Sequence, residues 1–281
     1  MIKSSNRFMI KNKITAIVCT YNSAKNIEEC LRSLKDNKVD EIIIVDAQSS
    51  DKTILKAKKY CNKILQDERI GLGNARNIGI KRSSGKYILN CGPDNILPKG
   101  SLKIMTEYLD KPNVVGVGAQ TKVLGKNYFS WSMNLYKRAR FYYGEKEVIG
   151  TPTLFRANIL KKYLYNKKST FSDDAELCTR LKKFGYKFWT SRAFVFERKT
   201  DVLIDIIRRW KMYGISDYEI YSSNKKRWSF FRKINSIFYP LREELIKPFF
   251  RTPIFNNFGI LPFLILITVL RYYFWILRYF K

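Results

Sequence analysis

Short apolar runs alternate with amphipathic segments over the first 120 residues of the chain. Five such runs occur: Ile14–Thr20, Glu41–Asp46, Lys63–Gln66, Tyr87–Asn90 and Val114–Gly118. Nearly continuous apolar runs of this length predict strands that are buried on both faces of a sheet. The segments between them carry apolar residues at helical spacing, as at Ile27, Leu31 and Leu34. This alternation predicts strands that are covered by helices.

The pattern becomes less regular after about residue 120. It predicts helices over Tyr128–Tyr143, Asp173–Phe184 and Val202–Tyr221, a strand or turn at Gly150–Arg156 and a strand around Phe188–Phe196. The whole pattern predicts an α/β fold with a mixed, mostly parallel sheet flanked by helices. A sheet of this kind binds its ligands at the carboxyl ends of the strands.

The composition excludes several classes of enzyme. The 281 residues contain no histidine, which excludes Ser-His-Asp hydrolases, Cys-His proteases, HExxH zinc enzymes and His-ligated haem. A general base must therefore be a carboxylate or, less often, Lys, Tyr or Cys. The five cysteines are scattered and contain no CxxC pair, which indicates free thiols in a reducing compartment.

The charge balance favours anionic partners. Lys and Arg number 53 against 24 Asp and Glu, a net charge of +29. A nucleic-acid-binding protein is the alternative of a different class, but the chain has no recognisable binding motif, so we expect no nucleic-acid partner. The segment Met1–Lys13 lacks an uninterrupted apolar core and predicts no signal peptide, which places the folded part in the cytoplasm.

The composition changes near residue 222, where we place the boundary between a catalytic domain (1–222) and a basic, aromatic C-terminal region (223–281). Residues 225–281 contain eleven Lys and Arg residues and two acidic residues. Ile254–Leu277 is long enough to span a bilayer, with Arg271 snorkelling near its end. Its uninterrupted apolar core is only 13 residues, so an interfacial segment is the main alternative, and a buried helix or homo-oligomer contact is the third. Both membrane arrangements predict contact with anionic headgroups of the cell membrane and a cytoplasmic catalytic domain.

Acidic and basic residues lie where such a sheet places a ligand. Asp46 ends the second strand, where its carboxylate is suited to accept hydrogen bonds from a ribose or a base edge. The alternative is a turn residue within DAQSSD. Arg76 lies in a glycine-containing loop that enters a helix and is suited to a phosphate. Asp94 follows the fourth strand and is either a ligand of a divalent cation or a Pro-Asp turn residue.

An acidic pair, Asp173 and Asp174, is the strongest local signal. Two adjacent carboxylates at a helix start are stabilised by the helix dipole, so helix capping is one explanation. Because Ser172 can cap the helix by itself, the pair is also free to act as a general base.

Six segments of the chain occur in a characteristic order: ITAIVCTYNSAKNIEECLRSL, EIIIVDAQSSDKT, GLGNARNIGIKRSSGKYIL, GPDNILPKGSL, TPTLFR and FSDDAELCTRLKKFGYK. In this order the chain resembles the inverting glycosyltransferases of family 2, which have the GT-A fold, over about residues 14–221. The resemblance implies a UDP- or GDP-linked sugar donor. The residues that it assigns to the donor nucleotide are Thr20, Tyr21, Asn22, Asp46 (to the base) and Arg76.

The resemblance also assigns the chemistry. Asp174 matches the family's catalytic base, with Asp173 beside it, and Asp94 matches the second acid of a metal-binding Asp-x-Asp. The chain departs from the family at Gly92, which replaces the first acid, and at Glu197, which replaces a histidine. Asp94 and Glu197 together suit Mg²⁺ or Mn²⁺, which prefer oxygen ligands, and basic residues that neutralise the leaving group are the alternative.

The expected function is therefore membrane-associated, inverting transfer of a sugar to a hydroxyl of a lipid-linked saccharide, in assembly of a glycan or cell-surface polysaccharide. Synthesis of a polyprenyl- or dolichyl-phosphate sugar is the alternative, although a phosphate acceptor needs no base. A non-catalytic family member is a further alternative, because of the altered metal positions. Processive synthesis is disfavoured, because one candidate membrane segment is too few to build a channel.

Overall fold

A computed structural model of the chain describes residues 13–167, 173–198 and 202–280. Four parallel strands form the first half of its sheet, in the order β3-β2-β1-β4. Their bounds are β1 (Ile14–Thr20), β2 (Glu41–Asp46), β3 (Lys63–Gln66) and β4 (Tyr87–Cys91). The side chains of β2 and β4 are buried throughout, as their apolar runs predict. The side chains of β3 are mostly exposed, because this strand forms the edge of the sheet.

The second half of the sheet is mixed. Its strands are β5 (Asn95–Ile96), β6 (Val114–Leu124), β7 (Gly144–Lys146), β8 (Thr153–Arg156) and β9 (Lys187–Arg198). Strand β8 lies antiparallel between β4 and β6, and β6 is parallel to β9. The short strands β5 and β7 both pair antiparallel with β9. The predicted α/β fold with a mixed sheet is confirmed.

Helices cover both faces of this sheet. The first seven are α1 (Ile27–Asp36), α2 (Thr53–Ala57), α3 (Leu72–Arg82), α4 (Ser101–Leu109), α5 (Tyr128–Arg140), α6 (Ala157–Lys162) and α7 (Asp173–Lys182). One core contains Ala16 and Val18 of β1 together with side chains of α1 and α4. The opposite core contains Ile17 of β1 together with side chains of α3 and α7. Successive residues of β1 thus point into different cores, because side chains alternate along a strand.

A third core joins the C-terminal region to the sheet. The remaining helices are α8 (Val202–Asn224), α9 (Phe230–Ile237), a π-helical turn (Leu241–Ile246), α10 (Lys247–Arg251) and α11 (Ile254–Tyr279). Trp210 of α8 and Phe263 of α11 are buried in this core beside Tyr136 of α5. The contacts therefore cross residue 222, and the domain boundary predicted there stays a prediction. Among the described helices, the segment Asn256–Tyr279 has the length and apolar composition needed to cross a bilayer.

Polar residues singled out in the sequence lie near the carboxyl ends of the parallel strands, and this row of strand ends forms one edge of the sheet. Thr20 at the end of β1 is paired with Asp46 at the end of β2, and Val18 is paired with Cys91 at the end of β4. Antiparallel β8 begins at this edge, where its Thr153 is paired with Asn90. With strands spaced about 4.8 Å apart, the edge from β2 to β8 is about 14 Å wide. This edge is the place where parallel sheets bind ligands.

Candidate active site

The acidic pair at the start of α7 is held by one buried arginine. Arg76 Nη1 donates hydrogen bonds to Asp173 Oδ2 at 2.7 Å and to Asp174 Oδ1 at 2.8 Å, while its Nη2 donates to Thr151 Oγ1 at 2.5 Å. The side chains of Arg76 and Asp173 are 6% and 2% exposed, whereas Asp174 is 23% exposed. One cation is therefore shared by two carboxylates, of which Asp174 is the accessible one. The helix cap predicted at Ser172 lies outside the described residues.

The two oxygens of Asp174 have different surroundings. Oδ1 accepts the hydrogen bond from Arg76 and a longer one, 3.3 Å, from the Tyr165 hydroxyl, which itself accepts from Asn90 Nδ2 at 2.8 Å. Oδ2 lies beside the exposed Gly150, where a Cβ would be 3.8 Å away from it. One oxygen is thus fixed by Arg76 and Tyr165, and the other lies beside an exposed backbone position.

Two glycines of α3 bring Arg76 to the acidic pair. A Cβ at Gly73 would lie 2.7 Å from the backbone oxygen of Asn166, and a Cβ at Gly79 would lie 2.6 Å from Ile17 Cγ2. Without a side chain at these positions, α3 packs closely on β1 and on the segment before α7. The glycines of GLGNARNIG therefore serve helix packing, and the contacts of Arg76 are those of a residue that positions the acids.

Burial, opposed by Arg76 and reinforced by the neighbouring Asp174, raises the pKa of Asp173 from its usual 3.8 to about 6. Because the native pKa is above the unfolded value, the native state binds the proton more tightly between about pH 4 and pH 6. This group's contribution to the free energy of unfolding therefore falls as the pH rises through that window.

This titration predicts an acid limb in the pH–rate profile. Protonation of Asp173 below about pH 6 weakens its ion pair with Arg76, which also positions Asp174, so kcat/KM is expected to fall below that pH. In Asp173→Asn this titrating group is absent, and the limb near pH 6 is expected to disappear. The profiles of the two proteins, measured in matched buffers, test this. An unchanged limb in Asp173→Asn would show that Asp173 does not titrate in the reaction.

Asp46 closes a turn at the end of β2. Its Oδ1 accepts hydrogen bonds from Thr20 Oγ1 at 2.7 Å and Ser49 Oγ at 2.6 Å, and its Oδ2 accepts one from the Ser49 backbone at 2.8 Å. The neighbouring loop is tied to this turn, since Asn22 Oδ1 accepts a hydrogen bond from the Ser50 backbone at 2.9 Å. The turn interpretation of Asp46 thus describes its contacts, and its role towards a base stays a prediction.

Two residues beside this turn were not singled out in the sequence. Arg69 lies over the ring of the exposed Tyr21, 4.7 Å from its centroid, and donates a hydrogen bond to the Ala47 carbonyl at 2.8 Å. Asp67 follows β3, is 5% exposed, and its Oδ1 has no hydrogen-bond partner among the described residues. Burial raises the pKa of Asp67. The sequence signal for both residues is their position after an apolar run, in the loop that leads to α3.

The predicted metal ligands Asp94 and Glu197 lie on neighbouring segments, and two basic side chains lie beside Glu197. Asp94 immediately precedes β5, in which Asn95 pairs with Glu197 of β9. Glu197 is 5% exposed, with Lys137 Nζ 2.7 Å from its Oε1 and Arg209 Nη2 3.7 Å from its Oε2. Burial lowers the pKa of Arg209, but Glu197 and Asp94 act in the opposite direction, and the net pKa is raised. Neither Lys137 nor Arg209 is a site residue that the sequence predicts.

A metal ion would have to compete for these ligands. Within residues 13–167, 173–198 and 202–280, no cluster of three or more Cys, His, Asp or Glu side chains is arranged to bind a metal. At Gly92, where an Asp-x-Asp pair would have its first acid, a Cβ would lie 2.7 Å from Asp94 Oδ1. A divalent cation would fit Glu197 only if it displaced Lys137, which is 2.7 Å from Oε1, and Arg209, which is 3.7 Å from Oε2.

The acidic pair lies near the carboxyl ends of the parallel strands, where sheets of this kind bind their ligands. The sequence profile of Glycosyl transferase family 2 matches residues 15–164, more than half of the chain, and the chain belongs to this family. Its predicted family and GT-A-like fold are confirmed. The profile match covers the turn of Asp46, the helix of Arg76 and Asp94, and it ends before the acidic pair.

Curated relatives match parts of the chain. The poly(ribitol-phosphate) β-N-acetylglucosaminyltransferase TarS of Staphylococcus aureus is 33% identical over 109 residues, which cover 35% of this chain and 19% of TarS. A cholesterol galactosyltransferase of Borreliella burgdorferi is 29% identical over 34% of this chain and 28% of its own length. The matches thus span about a fifth to a quarter of these relatives.

Among solved structures, the mannosyltransferase PcManGT of Pyrobaculum calidifontis, in complex with GDP-Man and Mn²⁺, has a TM-score of 0.60 at 18% identity. The alignment covers 91% of this chain and 73% of PcManGT. At this level of identity, the likeness shows that the two proteins share a fold.

Proposed function

We propose that the protein transfers a sugar from a nucleotide-diphosphate donor to a hydroxyl group with inversion of the anomeric centre, and that Asp174 is the base. The observation that carries the proposal is the asymmetric setting of Asp174, with Oδ1 fixed by Arg76 and Oδ2 beside the exposed Gly150. A carboxylate oriented by one oxygen can accept a proton at the other. A single base and a single displacement invert the anomeric carbon.

In this mechanism each group of the acidic site has a separate task. The acceptor hydroxyl gives its proton to Asp174 Oδ2 while its oxygen attacks the anomeric carbon from the face opposite the diphosphate. The bond from that carbon to the diphosphate oxygen breaks, and the diphosphate leaves with the electron pair. Arg76 holds Asp174 in place, and Asp173 accepts a hydrogen bond from the same Nη1 of the guanidinium. The N-terminus of α7 favours the negative charge there.

The nucleotide of the donor is proposed to lie across the ends of β1 and β2. Asp46 and Thr20 meet there, and the ring of Tyr21 is exposed with Arg69 over it. An exposed aromatic face next to a carboxylate is suited to a nucleotide base, which stacks and offers N–H groups. Asn22, which ties the two loops together, keeps this pocket in shape. Arg76 touches the acids, so its proposed influence on the donor acts through them.

The leaving diphosphate needs a positive countercharge. A divalent cation held by Asp94 and Glu197 is what the family resemblance implies, and PcManGT was solved with Mn²⁺. Since Glu197 is already paired, we propose that Lys137 and Arg209 provide the countercharge in this chain. The side chain of Arg209 is 30% exposed and is the more accessible of the two.

The acceptor is proposed to be a sugar hydroxyl of a lipid-linked saccharide at the cytoplasmic side of the cell membrane. A hydroxyl must lose a proton, which accounts for the acidic pair, whereas a lipid phosphate is already anionic. The candidate membrane helix and the net charge of +29 support a location at an anionic membrane. Formation of a polyprenyl-phosphate sugar is the second candidate, supported by the same C-terminal region.

A thermal-shift screen against UDP-, GDP- and dTDP-linked sugars, each in EDTA and in Mn²⁺, tests the donor and its countercharge. One donor class is expected to stabilise the protein by about 2.7 kcal/mol at 100 times its dissociation constant, in EDTA as well as in Mn²⁺. Arg209→Met is expected to lose most of this shift, and Arg208→Met, an exposed neighbour, is the control. No shift with any donor would contradict donor binding. A shift that requires Mn²⁺ would assign the countercharge to a metal.

A further inference from the structure

Helix α11 is tightly packed on the rest of the protein along one face. The residues of this face are Ile260, Phe263, Leu264, Ile267, Thr268 and Arg271, all at most 5% exposed. At Gly214 of α8, a Cβ would lie 2.4 Å from the Arg271 backbone oxygen and 3.1 Å from Phe274 Cβ. Since only glycine fits there, the backbones of α8 and α11 meet closely. One side of the apolar helix is therefore part of the protein core.

Arg271 fixes the helix in this position through charge. Its guanidinium makes a two-bond ion pair with Asp217 of α8, at 2.6 and 2.9 Å, and a further ion pair with the fully buried Glu244. Glu244 also accepts hydrogen bonds from Tyr136 and from Arg140 Nη1, the latter at 2.9 Å. The expected snorkelling of Arg271 is thus replaced by a buried network that joins α5, α8, the π-helical turn and α11. Removing one partner of such a network leaves an uncompensated buried charge.

Large apolar side chains are exposed on the opposite side of α11 and on the segments that contact it. We call them the C-terminal apolar surface: Phe230, Phe231, Ile234, Ile237, Phe238, Ile246, Phe250, Phe258, Ile265, Val269, Tyr273 and Ile276. Phe231, Phe250 and Phe258 are 82%, 78% and 82% exposed. The Tyr272 hydroxyl donates to the Ile237 carbonyl at 2.8 Å, which holds the end of α9 against α11. Soluble proteins rarely leave so many large apolar groups together in water.

The charges around this surface indicate its partner. Lys226, Arg227, Arg232 and Arg251 are exposed in the same segments. The two acids of the region are neutralised, since Glu244 is buried in its network and Glu243 is ion-paired with Arg242 and Lys247. Aromatic and aliphatic groups among Lys and Arg are typical of segments that lie in the interface of an anionic bilayer. A second copy of this basic chain would bring like charges together.

We propose that the C-terminal apolar surface docks on an anionic lipid bilayer, with α11 lying in the interface rather than crossing the membrane. To span, α11 would have to leave α8, expose Phe263 and Ile267, and separate Arg271 from Asp217 and Glu244. The inference deepens the proposed function and rests on it, because it brings the protein to the membrane that would hold a lipid-linked acceptor. It needs no segment of the chain other than those described.

Flotation with lipid vesicles tests the docking surface. The full-length protein is expected to bind vesicles that contain phosphatidylglycerol and to bind pure phosphatidylcholine weakly. The triple variant Phe231→Ser/Phe250→Ser/Phe258→Ser is expected to lower the partition coefficient by at least about 100-fold, since three large apolar side chains are withdrawn from the lipid. Phe184→Ser, the same substitution at one 58% exposed position of the catalytic part, is the control and is expected to bind normally.

Two further outcomes would overturn the inference. If the triple variant binds vesicles as well as the unmodified protein does, the proposed docking surface is wrong. If the protein stays in membranes after alkaline carbonate extraction, α11 spans the bilayer. Donor-induced thermal stabilisation, measured on the same variants, shows that they fold and keeps this test separate from the reaction. If the unmodified protein is stabilised by the donor but does not bind vesicles, the docking alone is refuted. Normal vesicle binding with no donor stabilisation would refute the proposed reaction alone.

Discussion

Asp174→Asn is expected to lower kcat by about 10²–10⁴-fold, the contribution of a positioned general base. The amide keeps the shape of the side chain and an oxygen for Arg76, but it cannot take a proton from the acceptor. Because the donor is proposed to bind at the ends of β1 and β2, its affinity is expected to change little. Steady-state transfer together with donor titration separates the two effects.

Glu176→Gln provides a matched control for this substitution. Glu176 lies in the same first turn of α7, but its side chain is 32% exposed and pairs with Arg180 at 2.8 Å. Its replacement removes one negative charge from the same helix end and is expected to leave kcat nearly unchanged. Equal losses in the two variants would show that the charge of the helix, and not a base at Asp174, supports the reaction.

Arg76→Met is expected to destabilise the protein by about 3–5 kcal/mol, because it removes the cation that two carboxylates share. Asp173 is nearly fully buried, and without Arg76 its charge would have only the hydrogen bond from the Asp174 backbone N–H. Urea unfolding at pH 7 measures the loss. The same variant is expected to lose transfer activity, since Asp174 is no longer held in place.

The double variant Arg76→Met/Asp173→Asn tests the cause of that loss. Removing the more buried carboxylate together with the cation is expected to restore a large part of the free energy of unfolding. It is not expected to restore activity, because Asp174 still lacks the group that orients it. If Arg76→Met unfolds at the same urea concentration as the unmodified protein, the ion pair does not hold the site together.

Much of the sheet could be predicted from the sequence because burial on both faces leaves a local signal. Glu41–Asp46 is an almost uninterrupted apolar run, and it forms β2 with the predicted bounds. The antiparallel course of β8 could not be predicted in this way, since Thr153–Arg156 is short and its direction depends on partners far along the chain. Local patterns determine which residues form strands, and long-range packing determines how the strands pair.

In the candidate site, too, local features could be predicted from the sequence and long-range contacts could not. Asp173 and Asp174 were singled out because adjacent carboxylates at a helix start are a local feature. Their partner Arg76 lies 97 residues earlier, and the sequence analysis placed it beside the nucleotide. The pairing of Glu197 with Lys137 was equally hidden, because a lysine in a helix gives no sign of which carboxylate it faces. Charges that meet across the fold are visible only once the fold is known.

Arg271 illustrates why a hydropathy pattern does not determine how a helix meets a membrane. The length and apolar content of Ile254–Tyr279 suit a span, and one arginine near the end is compatible with snorkelling. Its partners are Asp217 and Glu244, and nothing in the sequence around them indicates that they pair with Arg271. The position of the helix follows from these ion pairs and from the close approach at Gly214.

The most direct test of the account is release of nucleoside diphosphate from the donor identified by thermal shift, with water as the acceptor, by the unmodified protein and by Asp174→Asn. We expect steady release by the unmodified protein and release at least about 100-fold slower by Asp174→Asn, although the donor stabilises both proteins equally. Equal rates in the two proteins would contradict a base at Asp174. Absence of release by the unmodified protein, despite bound donor, would contradict the proposed reaction itself.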